Sequence, residues 1–164
     1  MDIKELKTEF ITLDVLEHLK HKAILLDLIN KIPSNSYEQV SKTDWNLPKK
    51  LERKYLEYFY SNIVNNIMDQ QQKYFKAKSW KISNGWFQQY EKNSFHVYHN
   101  HPNSNFTNVY FLELPNKDHV TEIKDVEYDA EEGYLITFPA TMLHRCKVVS
   151  GGRKTIISFN SSLL

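Results

Sequence analysis

The chain has 164 residues, of which 41% are hydrophobic and 13% aromatic, enough apolar material for one substantial core, so a single domain is expected over 1–164. Its 21 basic residues nearly balance its 20 acidic ones; this sets up no global field for a nucleic-acid duplex or an anionic bilayer, and any partner must be recognised locally. The lone Cys146 excludes an internal disulfide and a multi-cysteine zinc site. The mixed-charge start "MDIKELKTEF", with no apolar run of about 18 residues anywhere, predicts a cytoplasmic chain without a membrane span.

In chain order, residues 14–32 read as an amphipathic helix. Asp14 is its N-cap, Leu16, Leu19, Ala23, Leu26 and Ile29 form its apolar stripe, and Pro33 is its stop. A second helix fits "LPKKLERKYLEYFYSNIVNNIMDQQQKYF", with Leu51, Tyr55, Phe59, Ile63 and Ile67 as a stripe that reads as core. After Lys78 the texture changes to short aromatic and β-branched runs: "SWKISNGWFQQY", "FHVYH", "FTNVYFLEL", "VTEIKDVEY", "GYLITF", "HRCKVV" and "RKTIISFN". Turn chemistry separates them and no helical window intervenes, so the strands should pair mainly antiparallel. The expectation is an α+β chain, with 1–77 mainly helical support for a jelly-roll core over 78–164.

The stretch "SFHVYHNHPNSN" carries His96, His99 and His101. On an extended strand His99 and His101 point to one face and can clamp a metal ion, whereas His96 falls on the other face if the strand is regular. Such a pair occurs equally in plain polar loops, so a third ligand must come from elsewhere. His144 is that candidate; its alternative is a satisfied core histidine. His18 and His21 read as solvated helix residues and His119 as a surface turn. If Ser150 and Gly151 close a two-residue hairpin, then His144, Arg153 and Thr155 share a face, and a three-residue loop would reverse the parity. Arg153 then points inward and needs an anion: a carboxylate elsewhere in the chain, or a bound dicarboxylate.

At these residues the chain resembles the 2-oxoglutarate and Fe(II)-dependent oxygenases, particularly small prolyl-hydroxylase-like members. "YEKNSFHVYHNH" is similar to their Y-x-x-G-x-x-F/Y-x-x-H-x-D stretch, with Asn93 where the glycine stands and His101 where the carboxylate stands. "HPNSNFTNVYFLEL" resembles the segment that follows, and "GYLITFPATMLH" with Arg153 resembles the later histidine and basic residue. The likeness covers about half the chain, residues 86–160. It implies a double-stranded β-helix, or cupin-like jelly roll, and Fe(II) held by His99, His101 and His144. It also implies that 2-oxoglutarate is paired with Arg153, with Thr155 and Tyr90 beside it, and that a C–H bond of a peptide or small molecule is hydroxylated with O2, releasing succinate and CO2. Oxoglutarate and O2 are then the small-molecule partners, with no membrane and no nucleic acid expected. Two other readings stay open on the residues alone: a three-histidine cupin-type metalloprotein that does not use oxoglutarate, and a non-enzymatic jelly-roll module.

Overall fold

The structure, a computed structural model, describes residues 10–164. The amino-terminal stretch read above for its charge and lack of an apolar leader therefore lies outside the described residues, all but Phe10. No helix among the described residues is long and apolar enough to cross a membrane.

The first helix begins later than its sequence pattern indicates. Ile11–Asp14 is a strand, β1, and the helix α1 runs His18–Asn30 behind Glu17, which is left-handed at φ 55°. Asp14 pairs with a neighbouring strand and caps nothing. The buried stripe is therefore His21, Leu25 and Ile29, while Leu16 and Leu19 are exposed. A two-residue strand, β2 (Lys42–Thr43), follows. Next comes one helical rod in three pieces: α2 (Lys54–Phe59), a π-helical turn (Tyr60–Val64) and α3 (Asn65–Tyr74). Tyr55, Phe59, Ile63 and Ile67 are all buried, as the stripe predicts, whereas Leu51, its first member, lies before the helix and is half-buried. Strict four-residue spacing drifts by about 40° per step around an α-helix, and a wider π turn absorbs that drift, which keeps the stripe on one face. The turn also aims Tyr60 at Gly85, where an added Cβ would meet the Tyr60 hydroxyl oxygen at 2.1 Å.

The remaining strands are β3 (Trp80–Tyr90), β4 (His96–His99), β5 (Phe106–Glu113), β6 (Glu122–Ile123), β7 (Tyr134–Pro139), β8 (His144–Cys146) and β9 (Lys154–Leu163). They form two antiparallel sheets, a large one in the order β1-β7-β5-β9-β3-β2 and a small one in the order β4-β8-β6. This is the predicted α+β jelly roll, although β1 and β2, from the stretch expected to be mainly helical, join the large sheet. Helices cover one face of that sheet, where Leu25, Phe59 and Met68 pack on Phe87, Tyr110, Ile157 and Phe159. A second apolar cluster, including Tyr90, Val109, Phe111, Phe138, Cys146 and Ile156, fills the space between the sheets. Strand β9 is buried on both faces from Lys154 to Ser162, so alternate residues serve different clusters.

The β8–β9 hairpin at Ser150 and Gly151, the condition for His144, Arg153 and Thr155 to share a face, does not form. Strand β8 pairs with β4 and β6, and β9 pairs with β3 and β5. The segment between them crosses from the small sheet to the large one. Gly152 turns this crossover at φ +73°, where an added Cβ would lie 2.6 Å from Cβ of Pro115.

Candidate metal centre

Cross-strand pairing brings the histidines together. His99 on β4 is the direct partner of His144 on β8. His101, just past the end of β4, is fixed by its backbone N–H, which donates to the Ala140 carbonyl at 2.7 Å. Ring centroids of His99 and His144 lie 4.2 Å apart, those of His99 and His101 5.1 Å, and those of His101 and His144 5.2 Å. Their nitrogen ligand atoms fall within 4.8 Å of one another. Backbone carbonyls fix two of the rings: Nδ1 of His99 lies 2.9 Å from Val97 O, and Nδ1 of His144 3.0 Å from Met142 O. With Nδ1–H donating, each presents an Nε2 lone pair. Nε2 of His101 is buried and has no hydrogen-bond partner. A buried lone pair without a donor is costly unless a cation takes it.

The electrostatics agree. Burial, followed by the neighbouring imidazoles, pushes His144 down to about 3 and His101 down to about 4, and burial also lowers His99. All three rings are therefore neutral at neutral pH, the protonation state metal ligation requires. Neutral imidazoles suit Fe(II), among other divalent transition metals, so this donor set fits the iron that the motif implies.

His96 sits differently from expectation. The register between His96 and His99 shifts at a bulge, so alternation breaks and the His96 ring lies against His99 with centroids 4.1 Å apart. Its Nε2 is 3.8 Å from Glu38 Oε2, and its Nδ1 is 3.4 Å from Gln88 Nε2. It stays outside the converging ligand set, next to it. The turn before β4 is carried by Asn93 at φ 72°, a left-handed conformation that glycine adopts freely and asparagine tolerates. The other histidines depart from the sequence reading. His119 is buried against Ser150, His21 is buried against the Tyr58 hydroxyl, and Nδ1 of His18 lies 2.6 Å from the Tyr110 hydroxyl.

Behind the histidines is a small cavity of about 20 Å³ whose lining includes Tyr90, His99, His144, Cys146 and Ile156. Tyr90 is fully buried there, and its direct partner across β3 and β9 is Lys154. Arg153 and Thr155 do share a face, but it is the wrong one for this cavity. Nε and Nη2 of Arg153 donate to Glu113 at 2.8 and 2.9 Å, and the Thr155 hydroxyl donates to the same carboxylate. The anion Arg153 needs is thus a carboxylate of this chain, and neither residue reaches the histidines. Lys154, the residue between them, points the other way. It is fully buried, its Nζ lies 3.3 Å from Cys146 Sγ and 5.5 Å from the Tyr90 ring centroid, and among the described residues it has no carboxylate partner. Desolvation lowers its pKa, partly offset by Cys146. The sequence reading passes over Lys154 because the inward direction of Arg153 follows there from a β8–β9 hairpin that does not form. Ile157 and Phe159 pack under the helices while Ile156 joins the cluster between the sheets, so β9 is buried on both sides.

No family model matches the sequence, and no curated protein matches it by sequence. Solved structures do match its fold. A viral collagen prolyl hydroxylase from Paramecium Bursaria Chlorella virus-1, solved as a 2OG complex, is similar at a TM-score of 0.65 and 13% identity, over 94% of this chain and 96% of that one. A 2OG-Fe(II) oxygenase family oxidoreductase from Burkholderia pseudomallei gives a TM-score of 0.71 at 14% identity, over 93% and 84%. A Pseudomonas putida prolyl-4-hydroxylase gives 0.64 at 13%, over 95% and 94%. The chain has the fold of the 2OG-Fe(II) oxygenases. At such identities the likeness carries the architecture, and chemistry must be argued from the residues.

Proposed function

We propose that the protein is a 2-oxoglutarate-dependent oxygenase with an iron centre held by His99, His101 and His144, hydroxylating a C–H bond of a peptide or small molecule. The observation that carries this reading is the convergence of three neutral imidazoles, one with an orphaned buried nitrogen, backed by a cavity whose lining residue Cys146 meets the buried Lys154, a lysine with no carboxylate partner among the described residues. Bound iron would supply the redox chemistry that couples O2 and oxoglutarate to C–H oxidation. The chain's own residues supply position and charge. Backbone carbonyls of Val97 and Met142 hold two imidazoles in the ligating tautomer. Lys154 would supply the cation for the distal carboxylate of oxoglutarate, in place of Arg153, and Tyr90, its cross-strand neighbour, would donate its hydroxyl to the same group. The apolar residues around both groups exclude water, which strengthens that contact.

His101 in place of a carboxylate leaves the donor set uncharged, so oxoglutarate would bring the net charge of an Fe(II) complex to about zero. The cavity is the size of a single water as it stands, so seating a five-carbon diacid requires its lining side chains to change rotamer, and Lys154, which reaches the lining residue Cys146 at 3.3 Å, to swing toward it.

Anaerobic titration with Fe(II) and then oxoglutarate tests the reading. A visible metal-to-ligand charge-transfer band should grow to one equivalent and be absent in His144→Ala. No band in the wild-type protein, with Fe(II) demonstrably bound, would return the chain to the cupin-type alternative; no stoichiometric Fe(II) binding would leave a non-catalytic jelly roll.

A further inference from the structure

The substrate side of the same site carries a further inference, which rests on the oxygenase reading. A cleft of about 810 Å³ opens beside His101, and a hollow of about 210 Å³ lies toward His96 and Glu38. Trp45, Trp86, Asn100 and His101 line both. They are two arms of one groove passing the histidines, and a groove that continues on both sides of a reaction centre suits a stretch of chain more than a small metabolite.

Where the arms meet stand two indoles. Trp86 lies on β3, buried, with its ring centroid 5.3 Å from His101. Trp45 comes from the segment between β2 and α2, is 45% exposed, and lies 6.4 Å from His101. The two rings are 4.7 Å apart at an interplanar angle of 70°. A flat base is sandwiched by parallel rings; a corner this open instead presents two π faces to the C–H bonds of a saturated group.

The charges and polar groups of the groove narrow the class. In the larger arm Arg53 is held by Asp44 at 2.7 Å, leaving Lys49 as the unpaired cation among the described lining residues, and the smaller arm carries Glu38. This is no track for a phosphate backbone. The wall is made of neutral amides. Asn84 accepts from Asn160 at 3.0 Å and keeps its own N–H groups, while Asn100 donates to Thr141 O at 3.3 Å and keeps its carbonyl. One amide donor and one amide acceptor match the C=O and N–H of a peptide unit.

We propose that Trp45 is a specificity-determining residue: with Trp86 it forms a corner that holds a saturated, uncharged side chain of an extended polypeptide beside the His101 side of the metal centre. The test uses protein loaded with Co(II), which does not turn over, and blocked tripeptides with Pro, Leu or Asp in the middle. A thymidine oligonucleotide and a neutral β-glucan oligosaccharide serve as competing polymer classes. Binding is read by tryptophan emission and by calorimetry.

The Pro and Leu peptides should bind saturably, and the Asp peptide about tenfold or more weaker. Trp45→Ala should weaken the aliphatic peptides by about tenfold, and Trp45→Phe should restore part of the loss. The Co(II) absorption spectrum of both variants should match that of wild type, which separates a lost corner from a lost fold. Equal affinity in Trp45→Ala, preference for either other polymer, or no binding of any probe would overturn the proposal. The oxygenase reading fails separately, if oxoglutarate leaves the metal spectrum unchanged while the peptides still bind through Trp45.

Discussion

Arg153 and Lys154 are neighbours with opposite duties. Arg153 forms a two-pronged pair with Glu113 at a half-exposed rim, whereas Lys154 is buried with the Cys146 thiol and the Tyr90 and Phe111 rings beside its Nζ. The substitution Lys154→Met should therefore lower oxoglutarate affinity of the metal-loaded protein about tenfold or more, the worth of one charge-assisted hydrogen bond, with metal binding intact. Arg153→Ala should leave oxoglutarate binding unchanged and cost at most about 1 kcal/mol of stability, because its ion pair is open to solvent screening. Calorimetric titration and denaturant unfolding of the two variants separate these roles.

The histidine cluster also predicts a pH response. His144, His101 and His96 titrate in the unfolded chain near their ordinary value of 6.5 but are held down to about 3, 4 and 4 in the folded one. Between those values the unfolded state binds more protons, so stability falls as pH falls across that window and is flat above it. Thermal unfolding of the metal-free protein from pH 8 to pH 4 should show a midpoint constant down to about pH 6.5 and declining below. Because the folded rings are already neutral, Co(II) affinity should be nearly unchanged between pH 6 and pH 8.

Among the elements, the helical rod is placed by its interruption. The π turn at Tyr60–Val64 keeps the buried stripe in phase and sets the Tyr60 hydroxyl over Gly85 of β3. Gly85→Ala should cost about 1–3 kcal/mol from overpacking, and Tyr60→Leu in the same chain should recover much of it; urea unfolding of the single and double variants measures both. The π turn thereby bears on the site through β3, which Gly85 lets the helix approach and which carries Trp86, Gln88 and Tyr90 to the histidines and the cavity behind them. The bulge in β4 has the same local character: one register shift turns His96 from an outward residue into a neighbour of His99.

Across the whole molecule, the large sheet divides two apolar clusters, one under the helices and one between the sheets, and the metal centre opens from the second. Ligands that bind only the folded state should stabilise all of it together. At a hundredfold excess over their dissociation constant, Fe(II) and oxoglutarate should each add about 2.7 kcal/mol, seen as an upward shift of the melting midpoint under anaerobic conditions. His144→Ala should abolish the metal increment.

Sequence by itself determined the class of fold, the strand-rich carboxyl half, the helical stripe from Tyr55 to Ile67 and the pair His99 and His101, because each rests on a local period of the chain. It also named His144, through a motif. Tertiary structure alone decided the rest. Strand β1 replaced the start of a helix because it completes an edge of the sheet by pairing with β7, a partner far along the chain. Lys154 could not be phased from "RKTIISFN", since both faces of β9 are buried and each mixes apolar with polar side chains, which leaves no exposed side to mark which way the strand points. Trp45 came to the groove from a segment that matches no motif, because only packing of the helical half against β3 places it beside Trp86 and His101.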